Sequence, residues 1–478
     1  MSAADVAAWS GEVPALEGLG PVHLIGIGGA GMSGIARILL ARGVPVSGSD
    51  RRESPTLMAL RALGARVEVG HDAGNLGDAR TAVVSTAIRD DNPELRAARE
   101  RGLAVLPRAV ALAAVMAGRR SVAVAGTHGK TSTTSMLTVA VQACGADPSF
   151  AIGGDLNESG SNAHSGTGDV FLAEADESDR SFLLLDPFAA VVTNVEADHL
   201  DNYGDLAAVE EAFARFARTV DPEGFVVVCA DDPGAARLRG AGARAPVRTY
   251  GTAEDADLRL TDLTVSHDGT RYRAVLDGAD LGPVRIGVPG EHMARNSAAA
   301  LLAGLELGFP IGALVEGLGR FGGVHRRFEL KGIAGGVRVF DDYAHHPTEV
   351  TAQLKAARAV AGGGRLIVAF QPHLYSRTRE FAEGFGRALA LADDVVVMEV
   401  YGAREDPIPG VTGAMVADAV PLPPEHVLFE PSWSATAPAL AARARPGDLV
   451  LTMGAGDVSM VGPEVLEALR AAEADARR

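Results

Sequence analysis

A short glycine-rich segment in the first third of the chain carries the residue types that phosphate chemistry requires. Residues 126–131 (Gly-Thr-His-Gly-Lys-Thr) follow an apolar run at residues 121–125 and precede a helix predicted over residues 132–144. In a P-loop, backbone N–H groups surround the phosphates, the lysine reaches the β- and γ-phosphates, and the hydroxyl binds Mg²⁺. The strict pattern has a glycine where this chain has Val124, so an accidental turn is the alternative. We favour a nucleoside triphosphate site, because Lys130 is one of only three lysines and stands where this chemistry needs a point charge.

Another glycine-rich segment, nearer the N-terminus, fits a nucleotide-binding fingerprint. Residues 26–31 (Gly-Ile-Gly-Gly-Ala-Gly) follow the apolar run at residues 22–27 and precede a helix predicted over residues 32–42. Asp50 ends the next predicted strand, 19 residues after Gly31, where the fingerprint places an acidic partner for a ribose. Such a loop brings backbone N–H groups and a helix N-terminus to a pyrophosphate. NAD, FAD and a UDP-sugar all carry that group, and the pattern leaves the three open.

Acidic and histidine-bearing segments follow two apolar runs of the middle region. Residues 174–179 (Glu-Ala-Asp-Glu-Ser-Asp) come after the run at residues 170–172, and residues 194–201 come after the run at residues 189–193. Carboxylates at the end of a strand beside a P-loop are placed to hold Mg²⁺, although a solvated acidic loop gives the same pattern. His199, in the latter segment, is a candidate metal ligand or orienting base, and a surface histidine is the alternative.

Polar segments also follow two apolar runs in the C-terminal third. Residues 341–347 (Asp-Asp-Tyr-Ala-His-His-Pro) follow the run at residues 337–340, and residues 371–379 follow the run at residues 365–370. Ligands of open parallel sheets bind at the carboxyl ends of the strands. We therefore predict a binding site on two adjacent strands, whose arginines indicate carboxylate or phosphate recognition.

The alternation of apolar runs with helical patterns predicts an α/β protein built on parallel sheets. We expect three domains, over residues 1–119, 120–324 and 325–478, with a small antiparallel sheet in the middle domain over residues 248–288. Further strands are predicted at residues 44–49, 65–69, 81–85, 225–229, 394–400 and 448–453. Further helices are predicted at residues 109–118, 296–307, 348–360, 379–391 and 463–478.

Composition excludes several classes of protein. The net charge of −17 and the 5% aromatic content argue against a general nucleic-acid or acidic-membrane binder. The two cysteines, Cys144 and Cys229, form neither a zinc motif nor a disulfide framework. Residues 1–20 lack the features of a signal peptide, and no apolar run reaches the roughly 18 residues of a membrane span. We expect a cytoplasmic protein.

Taken together and in this order, these segments resemble the Mur ligases, and the resemblance spans essentially the whole chain. The residues that carry it are the two glycine-rich segments, residues 174–179, 194–203, 292–296, 341–348 and 371–378. The segments at residues 26–32, 341–347 and 371–377 are typical of the member that attaches L-alanine.

The resemblance implies an N-terminal Rossmann-like domain for a UDP-sugar, a central P-loop ATPase domain, and a C-terminal Rossmann-like domain for ATP and the amino acid. It implies that ATP phosphorylates the lactyl carboxylate of UDP-N-acetylmuramate and that the amine of L-alanine displaces phosphate, as the first peptide step of peptidoglycan synthesis. ATP and Mg²⁺ are the implied cofactors. The implied partners are small molecules only, with no nucleic acid or membrane, and the chain would be a monomer or weak homodimer.

Site residues are carried over from this resemblance position by position. Catalytic roles are implied for Lys130, His128, His199, Glu174 and Arg377. ATP binding is implied for Gly126, Thr127, His128, Gly129, Lys130, Thr131, Ser132, Asn296 and Arg327. UDP-sugar binding is implied for Gly28, Gly29, Ala30, Gly31, Met32, Ser49, Asp50 and His71. Amino-acid binding is implied for Tyr343, His345, His373 and Arg377, and metal binding for Thr131, Glu174 and His199.

Some Mur ligases use a carbamylated lysine to bridge metal ions. This chain has no lysine between Lys130 and Lys331, so its central domain lacks that device, and arginine or water must stand in. Three other functions stay open: a recycling ligase that attaches a preformed peptide, an NAD(P)-dependent oxidoreductase based on the first glycine-rich segment, and a non-catalytic nucleotide-dependent scaffold. The oxidoreductase leaves the P-loop-like segment unexplained.

Overall fold

The computed structural model describes Trp9 and residues 11–476, apart from residues 158 and 404. The last two residues of the helix predicted over residues 463–478 lie outside that part. Contacts divide the chain into two compact units. One comprises Met1–Asp262, Tyr272–Val284 and Arg295–Phe321, and the other comprises Leu263–Arg271, Arg285–Ala294 and Gly322–Arg478.

The first sheet consists of five parallel strands. They are β1 (Val22–Ile25), β2 (Val46–Asp50), β3 (Arg66–Val69), β4 (Thr81–Val84) and β5 (Ala104–Pro107). Its helices are α1 (Ala30–Ala41), α2 (Pro55–Ala62), α3 (Pro93–Glu100) and α4 (Arg108–Met116), with 3-10 turns at Leu16–Gly18 and Ala73–Leu76. The order β3-β2-β1-β4-β5 reverses direction between β1 and β4. That reversal opens a crevice at the end of β1, where the first glycine-rich segment begins.

The second sheet has ten strands. They are β6 (Arg120–Ala125), β7 (Ser149–Leu156), β8 (Ser161–His164), β9 (Val170–Glu174), β10 (Ala189–Val192), β11 (Phe225–Cys229), β12 (Val247–Gly251), β13 (Leu258–Ser266), β14 (Gly269–Leu276) and β15 (Ala279–Ile286). The order is β15-β14-β13-β12-β11-β10-β6-β9-β7-β8. Strand β6 runs parallel to both of its neighbours, β10 and β9, and all three are apolar and buried along nearly their whole length, as expected of a parallel sheet covered on both faces.

The helices of this part are α5 (Lys130–Ala143), α6 (Leu200–Tyr203), α7 (Leu206–Thr219), α8 (Pro233–Ala236), α9 (Glu291–Glu306) and α10 (Ile311–Arg320), with 3-10 turns at Ser181–Leu184 and Arg237–Gly240. The alternating segment at residues 248–288 is predicted to form a small separate antiparallel sheet, and the structure shows otherwise. Strand β12 pairs in parallel with β11 and β13, so the segment extends the central sheet. Only two residues join β13 to β14, which makes that pair an antiparallel hairpin.

The third sheet has six strands. They are β16 (Glu329–Ala334), β17 (Val337–Asp342), β18 (Leu366–Phe370), β19 (Asp394–Met398), β20 (Val427–Glu430) and β21 (Leu449–Met453). Its helices are α11 (Pro347–Ala361), α12 (Tyr375–Leu389), α13 (Ala414–Asp418), α14 (Trp433–Arg443) and α15 (Val461–Ala476), with 3-10 turns at Pro424–His426 and Asp457–Met460. The order is β16-β17-β21-β18-β19-β20, and β16 alone runs antiparallel to its neighbour. Apolar clusters cover both faces.

This order corrects one prediction. Strands β17 and β18, which carry the two polar segments, are not adjacent, because β21 pairs with both and lies between them. The parallel α/β architecture itself is confirmed. Among the described residues, no helix combines the length and apolar character of a membrane span.

Candidate active site

The loop between β6 and α5 has a backbone that only glycine allows at two positions. Gly126 has φ +136°, and a Cβ there would lie 2.0 Å from Thr193 Oγ1. Gly129 has φ +82°, and a Cβ there would lie 2.8 Å from Asn296 Oδ1. The loop therefore packs closely against the end of β10 on one side and against α9 on the other, so Asn296, for which the resemblance implies ATP binding, lies beside the loop.

Lys130 is the first residue of α5, and its ammonium group points back into the loop. Its Nζ donates to Gly126 O at 2.6 Å, to Thr127 O at 3.2 Å and to Glu177 Oε1 at 2.8 Å. Burial lowers the pKa of Lys130, but the carboxylates of Glu177 and Glu174 outweigh burial and raise it above its ordinary value. Burial also raises the pKa of the Glu177 carboxyl, and Lys130 opposes that rise. A protonated lysine is thus held beneath the loop that would surround phosphates.

Glu174 ends β9, which lies beside β6 in the sheet, so its carboxylate reaches the same edge as the loop. Its Oε2 accepts from Thr131 Oγ1 at 2.9 Å and from the Gly153 backbone N–H at 2.8 Å. The carboxylate and the hydroxyl are both hard oxygen donors, of the kind that Mg²⁺ prefers. Two of the three predicted metal ligands, Thr131 and Glu174, are therefore in direct contact.

His199, the third predicted metal ligand, stands beside other acidic residues. Its Nε2 lies 3.6 Å from Asp198 Oδ2 and 3.9 Å from Glu177 Oε1. Its backbone is in the left-handed region, with φ 55°, where it precedes α6. The short helix is fastened to the acidic loop: Tyr203 donates its hydroxyl to Glu177 O at 2.5 Å, and Asn202 Nδ2 donates to Ser178 O at 3.0 Å. These contacts hold an uncommon backbone conformation in place.

His128 is anchored through its main chain. Its N–H donates to Asn194 Oδ1 at 2.8 Å, and its carbonyl accepts from Thr193 Oγ1 at 2.5 Å and from Asn194 Nδ2 at 3.0 Å. The ring Nε2 lies 3.7 Å from Glu196 Oε2. Thr193 and Asn194 shape this loop, although sequence analysis gave neither a role. Their position directly after a buried strand was the available signal.

The first glycine-rich segment is braced by Asp50. Its Oδ2 accepts from the Gly28 N–H at 2.9 Å. Helix α1 begins at Ala30, whose carbonyl accepts from Asn162 Nδ2 at 2.7 Å, and Met32 is buried in that helix. Ser49 and His71 lie at the ends of β2 and β3, on the same sheet edge. The predicted UDP-sugar residues are thus brought to one edge of the first sheet.

Arg108 joins this segment to the acidic loop, a role that the sequence did not reveal. A Cβ on Gly31 would lie 2.6 Å from one of its guanidinium nitrogens, and its Nη2 donates to Asp176 Oδ2 at 2.8 Å. Burial alone would raise the pKa of Asp176, but Arg108 and neighbouring donors hold it well below its ordinary range. Arg108 therefore places a fixed positive charge between the two predicted nucleotide sites.

The residues predicted for the amino acid gather at the edge of the third sheet. The His345 ring lies 5.1 Å from that of Tyr343 and 5.7 Å from that of His373, centroid to centroid. Burial, with Arg377 and His373 nearby, lowers the pKa of His345 to about 3, so the ring is neutral at pH 7. His345 Nδ1 lies 3.0 Å from Tyr343 O and donates to it. The neutral ring then keeps a lone pair on Nε2. The Arg327 guanidinium lies 5.2 Å from the Tyr343 ring centroid.

Asp342 is a buried carboxyl beneath this group that sequence analysis left without a role of its own. Its Oδ2 accepts from the Phe328 N–H at 2.7 Å and its Oδ1 from the Ala344 N–H at 2.8 Å. Burial raises its pKa to about 6, while Arg327 and the two N–H groups oppose the rise. Asp342 thus ties the segment after residue 326 to the end of β17.

The stability that Asp342 contributes is expected to depend on pH. Because its folded pKa is raised above its unfolded value, the contribution falls as pH rises from about 4 to about 6 and is level above that range. Asp342→Asn should therefore destabilise the protein less at pH 7.5 than at pH 4.5. Urea unfolding followed by Trp433, one of two tryptophans, in a Trp9→Phe background checks this. A larger loss at pH 7.5 would contradict it.

Comparison with known proteins gives matches along most of the chain. Residues 21–120 match the family model described as Mur ligase family, catalytic domain. Residues 124–304 match the Mur ligase middle domain, and residues 326–456 match the Mur ligase glutamate ligase domain.

Similar proteins are found at high identity. The chain is 62% identical over 458 residues to the UDP-N-acetylmuramate–L-alanine ligase of Acidothermus cellulolyticus, covering 95% of this chain and 96% of that one. It is 62% identical over 455 residues to the ligase of the same name from Saccharopolyspora erythraea, covering 93% and 92%. Its fold is similar to the crystal structure of UDP-N-acetylmuramate–alanine ligase from Thermotoga maritima, with a TM-score of 0.80, 30% identity, and coverage of 95% and 99%.

Proposed function

Because this chain belongs to the Mur ligase family, we propose that it joins L-alanine to the lactyl carboxylate of UDP-N-acetylmuramate with conversion of ATP to ADP and phosphate. It is an ATP-dependent ligase of peptidoglycan synthesis. The observation that carries the substrate assignment is the 62% identity, over 95% of the chain, to an alanine-adding ligase. The lysine and the carboxylate–hydroxyl pair at the end of β6 support the ATP-dependent chemistry.

The reaction brings two anions together. The lactyl carboxylate attacks the γ-phosphorus of ATP, ADP leaves, and an acyl phosphate forms. The amine of alanine then attacks the acyl carbon, and phosphate leaves as the amide forms. Catalysis is mainly charge neutralisation and alignment. Lys130 supplies a cation at the loop, and His128, whose main chain is anchored by Asn194, would face the substrate carboxylate.

We propose that Mg²⁺ is held by Thr131, Glu174 and His199. The contact between Thr131 and Glu174 offers oxygen donors of the right type at the loop. When bound there, Mg²⁺ would offset the negative charge of the phosphates. Thr131 and Glu174 would set the position of the metal ion, and the Glu174 carboxylate is itself held by a hydrogen bond from the Gly153 N–H.

We propose three domains, over residues 1–119, 120–324 and 325–478, that divide the substrates among them. The UDP-sugar would bind the first glycine-rich segment and the ends of β2 and β3. ATP would bind residues 126–132, with Asn296 and Arg327, and alanine would bind the ring cluster of Tyr343, His345 and His373 with Arg377. The neutral His345 has a lone pair suited to an amine proton. We place the enzyme in the cytoplasm as a monomer or weak homodimer.

Amino-acid competition should separate alanine addition from peptide recycling. With Mg²⁺, ATP and UDP-N-acetylmuramate, we expect ADP release to require L-alanine and to be faster with L-alanine than with a preformed L-alanyl tripeptide, in a coupled pyruvate kinase assay. Omission of the UDP-sugar should abolish the release. Preference for the tripeptide would favour the recycling ligase. Absence of any ADP release, while an authentic alanine ligase is active in parallel, would sink the proposal.

A further inference from the structure

Glu94 is a fully buried carboxylate that no motif of the sequence indicated. It lies in the first turn of α3, where the helix N-terminus favours a negative charge, and none of its surface is exposed. A buried carboxylate needs several hydrogen-bond donors or a cation to remain in a folded protein. The groups that satisfy Glu94 are therefore informative about what it does.

The donors around Glu94 include two residues at the sheet edge where the UDP-sugar is proposed to bind. Its Oε2 accepts from Ser49 Oγ at 2.5 Å and lies 3.2 Å from His71 Nδ1. Its Oε1 accepts from Asn75 Nδ2 at 2.6 Å and from the Asp72 N–H at 3.3 Å. Ser49 Oγ also lies 2.9 Å from His71 Nδ1. Glu94, Ser49 and His71 thus form a short chain from the buried side of the sheet to its edge.

The ionisation of Glu94 fixes the direction of these hydrogen bonds. Burial raises the pKa of its carboxyl, but the His23 ring, whose Nε2 lies 3.7 Å from Oε2, and hydrogen bonds from Ser49 and Asn75 outweigh burial and lower the pKa to about 2. The carboxylate accepts only, so the Ser49 hydroxyl donates to it and turns a lone pair towards His71. His71 Nδ1 therefore meets two acceptors and must carry the proton.

The other ring nitrogen of His71 is left as an acceptor. When Nδ1 of a neutral imidazole carries the proton, Nε2 has a lone pair. The His71 side chain is 15% exposed, and within the described part of the chain only its Nδ1 takes part in hydrogen bonds. His71 follows β3 at the carboxyl edge of the first sheet, where ligands of such sheets bind.

We propose that Glu94 is a positioning residue for nucleobase recognition, which holds His71 in the Nδ1-protonated form so that Nε2 accepts a ring N–H of the base. Uracil has such an N–H at N3, whereas cytosine has a lone pair at the same position. The arrangement thus favours a uridine nucleotide over a cytidine nucleotide. This inference rests on the proposed UDP-sugar substrate and adds the group that reads the base.

The test compares UDP and CDP binding by calorimetry at pH 8 in the full chain. Wild type should bind UDP at least about 10-fold more tightly than CDP, since a site built to accept a hydrogen bond rejects an analogue that lacks the donor. In Glu94→Gln the side-chain amide can donate to His71 Nδ1, which moves the ring proton to Nε2. The ratio of the association constant for UDP to that for CDP should then fall to about 1 or below. Glu100→Gln, an exposed glutamate on the same helix, should keep the wild-type ratio.

A spectroscopic measurement keeps the inference falsifiable even where Glu94→Gln fails to fold. Long-range ¹H–¹⁵N spectra of the wild-type protein, with His71 assigned through loss of its signals in His71→Gln, should show a protonated Nδ1 and an unprotonated Nε2. A proton on Nε2 would overturn the inference. So would a folded Glu94→Gln variant with an unchanged UDP-to-CDP ratio, while UDP binding itself still supported the proposed substrate. A wild-type protein that binds neither nucleotide would overturn the proposed function and this inference together.

Discussion

Lys130→Ala is expected to lower kcat for ADP release by at least about 10³-fold, the scale on which single preorganised charges act in phosphoryl transfer. The Lys130 ammonium group donates to the loop carbonyls of Gly126 and Thr127, and the carboxylates of Glu177 and Glu174 keep it protonated. The Kd for the UDP-sugar should change by less than about 2-fold, because that ligand is assigned to a different loop. A coupled ADP assay and calorimetry measure the two quantities.

The matched control is Lys355→Ala, because Lys355 is an exposed lysine on α11. It should keep wild-type kcat. Lys130→Arg should have a kcat almost as low as that of Lys130→Ala, since a planar guanidinium does not reproduce a compact ammonium group. Thermal unfolding of Lys130→Ala must accompany the kinetics, because the substitution leaves Glu177 buried without its cation. A folded Lys130→Ala protein with full turnover would contradict the assigned role.

Glu174→Gln is expected to lower kcat by about 10²- to 10³-fold at saturating ATP and to raise the Mg²⁺ concentration for half-maximal activity. The carboxylate provides charge beside the Thr131 hydroxyl, and an amide at that position keeps the shape but loses the charge. Activity across a Mg²⁺ titration checks both effects.

Asp169→Asn serves as the control for this substitution, because Asp169 immediately precedes the same strand, β9, and its side chain is 72% exposed. Its Mg²⁺ response should match wild type. An unchanged Mg²⁺ midpoint in Glu174→Gln would remove Glu174 from the proposed ligand set.

The sequence predicted the elements whose signal is local. The buried β6 run followed by glycines and Lys130 identified a strand, a loop and a helix, because tight turns and helix starts depend on nearby residues. The helices began slightly earlier than predicted: α5 starts at Lys130 itself and α11 starts at Pro347, a residue that suits the first helical position. The strand-end rule placed Glu174 near the loop because β9 and β6 are neighbours.

What the sequence did not predict depends on contacts between distant segments. Arg108 forms a hydrogen bond with Asp176, which lies 68 residues away in the sequence, and Ser49 forms one with Glu94, which lies 45 residues away. Neither pair leaves a local pattern, since one arginine or glutamate in a helix reads as an ordinary surface residue. The insertion of β21 between β17 and β18 likewise follows from the return of the last strand to the middle of the sheet. Strand order is a global property that spacing does not encode.

The confinement of Lys130 has a practical consequence for chemical modification. Acylating reagents attack neutral amines, and the chain has only three lysine side chains on which they can act. Lys130 is kept protonated and is hydrogen-bonded to Glu177 and the loop carbonyls, with 15% of its side-chain surface exposed, whereas Lys355 is exposed. Mild acylation should therefore tag or immobilise the enzyme first through Lys355 on α11 and modify Lys130 more slowly.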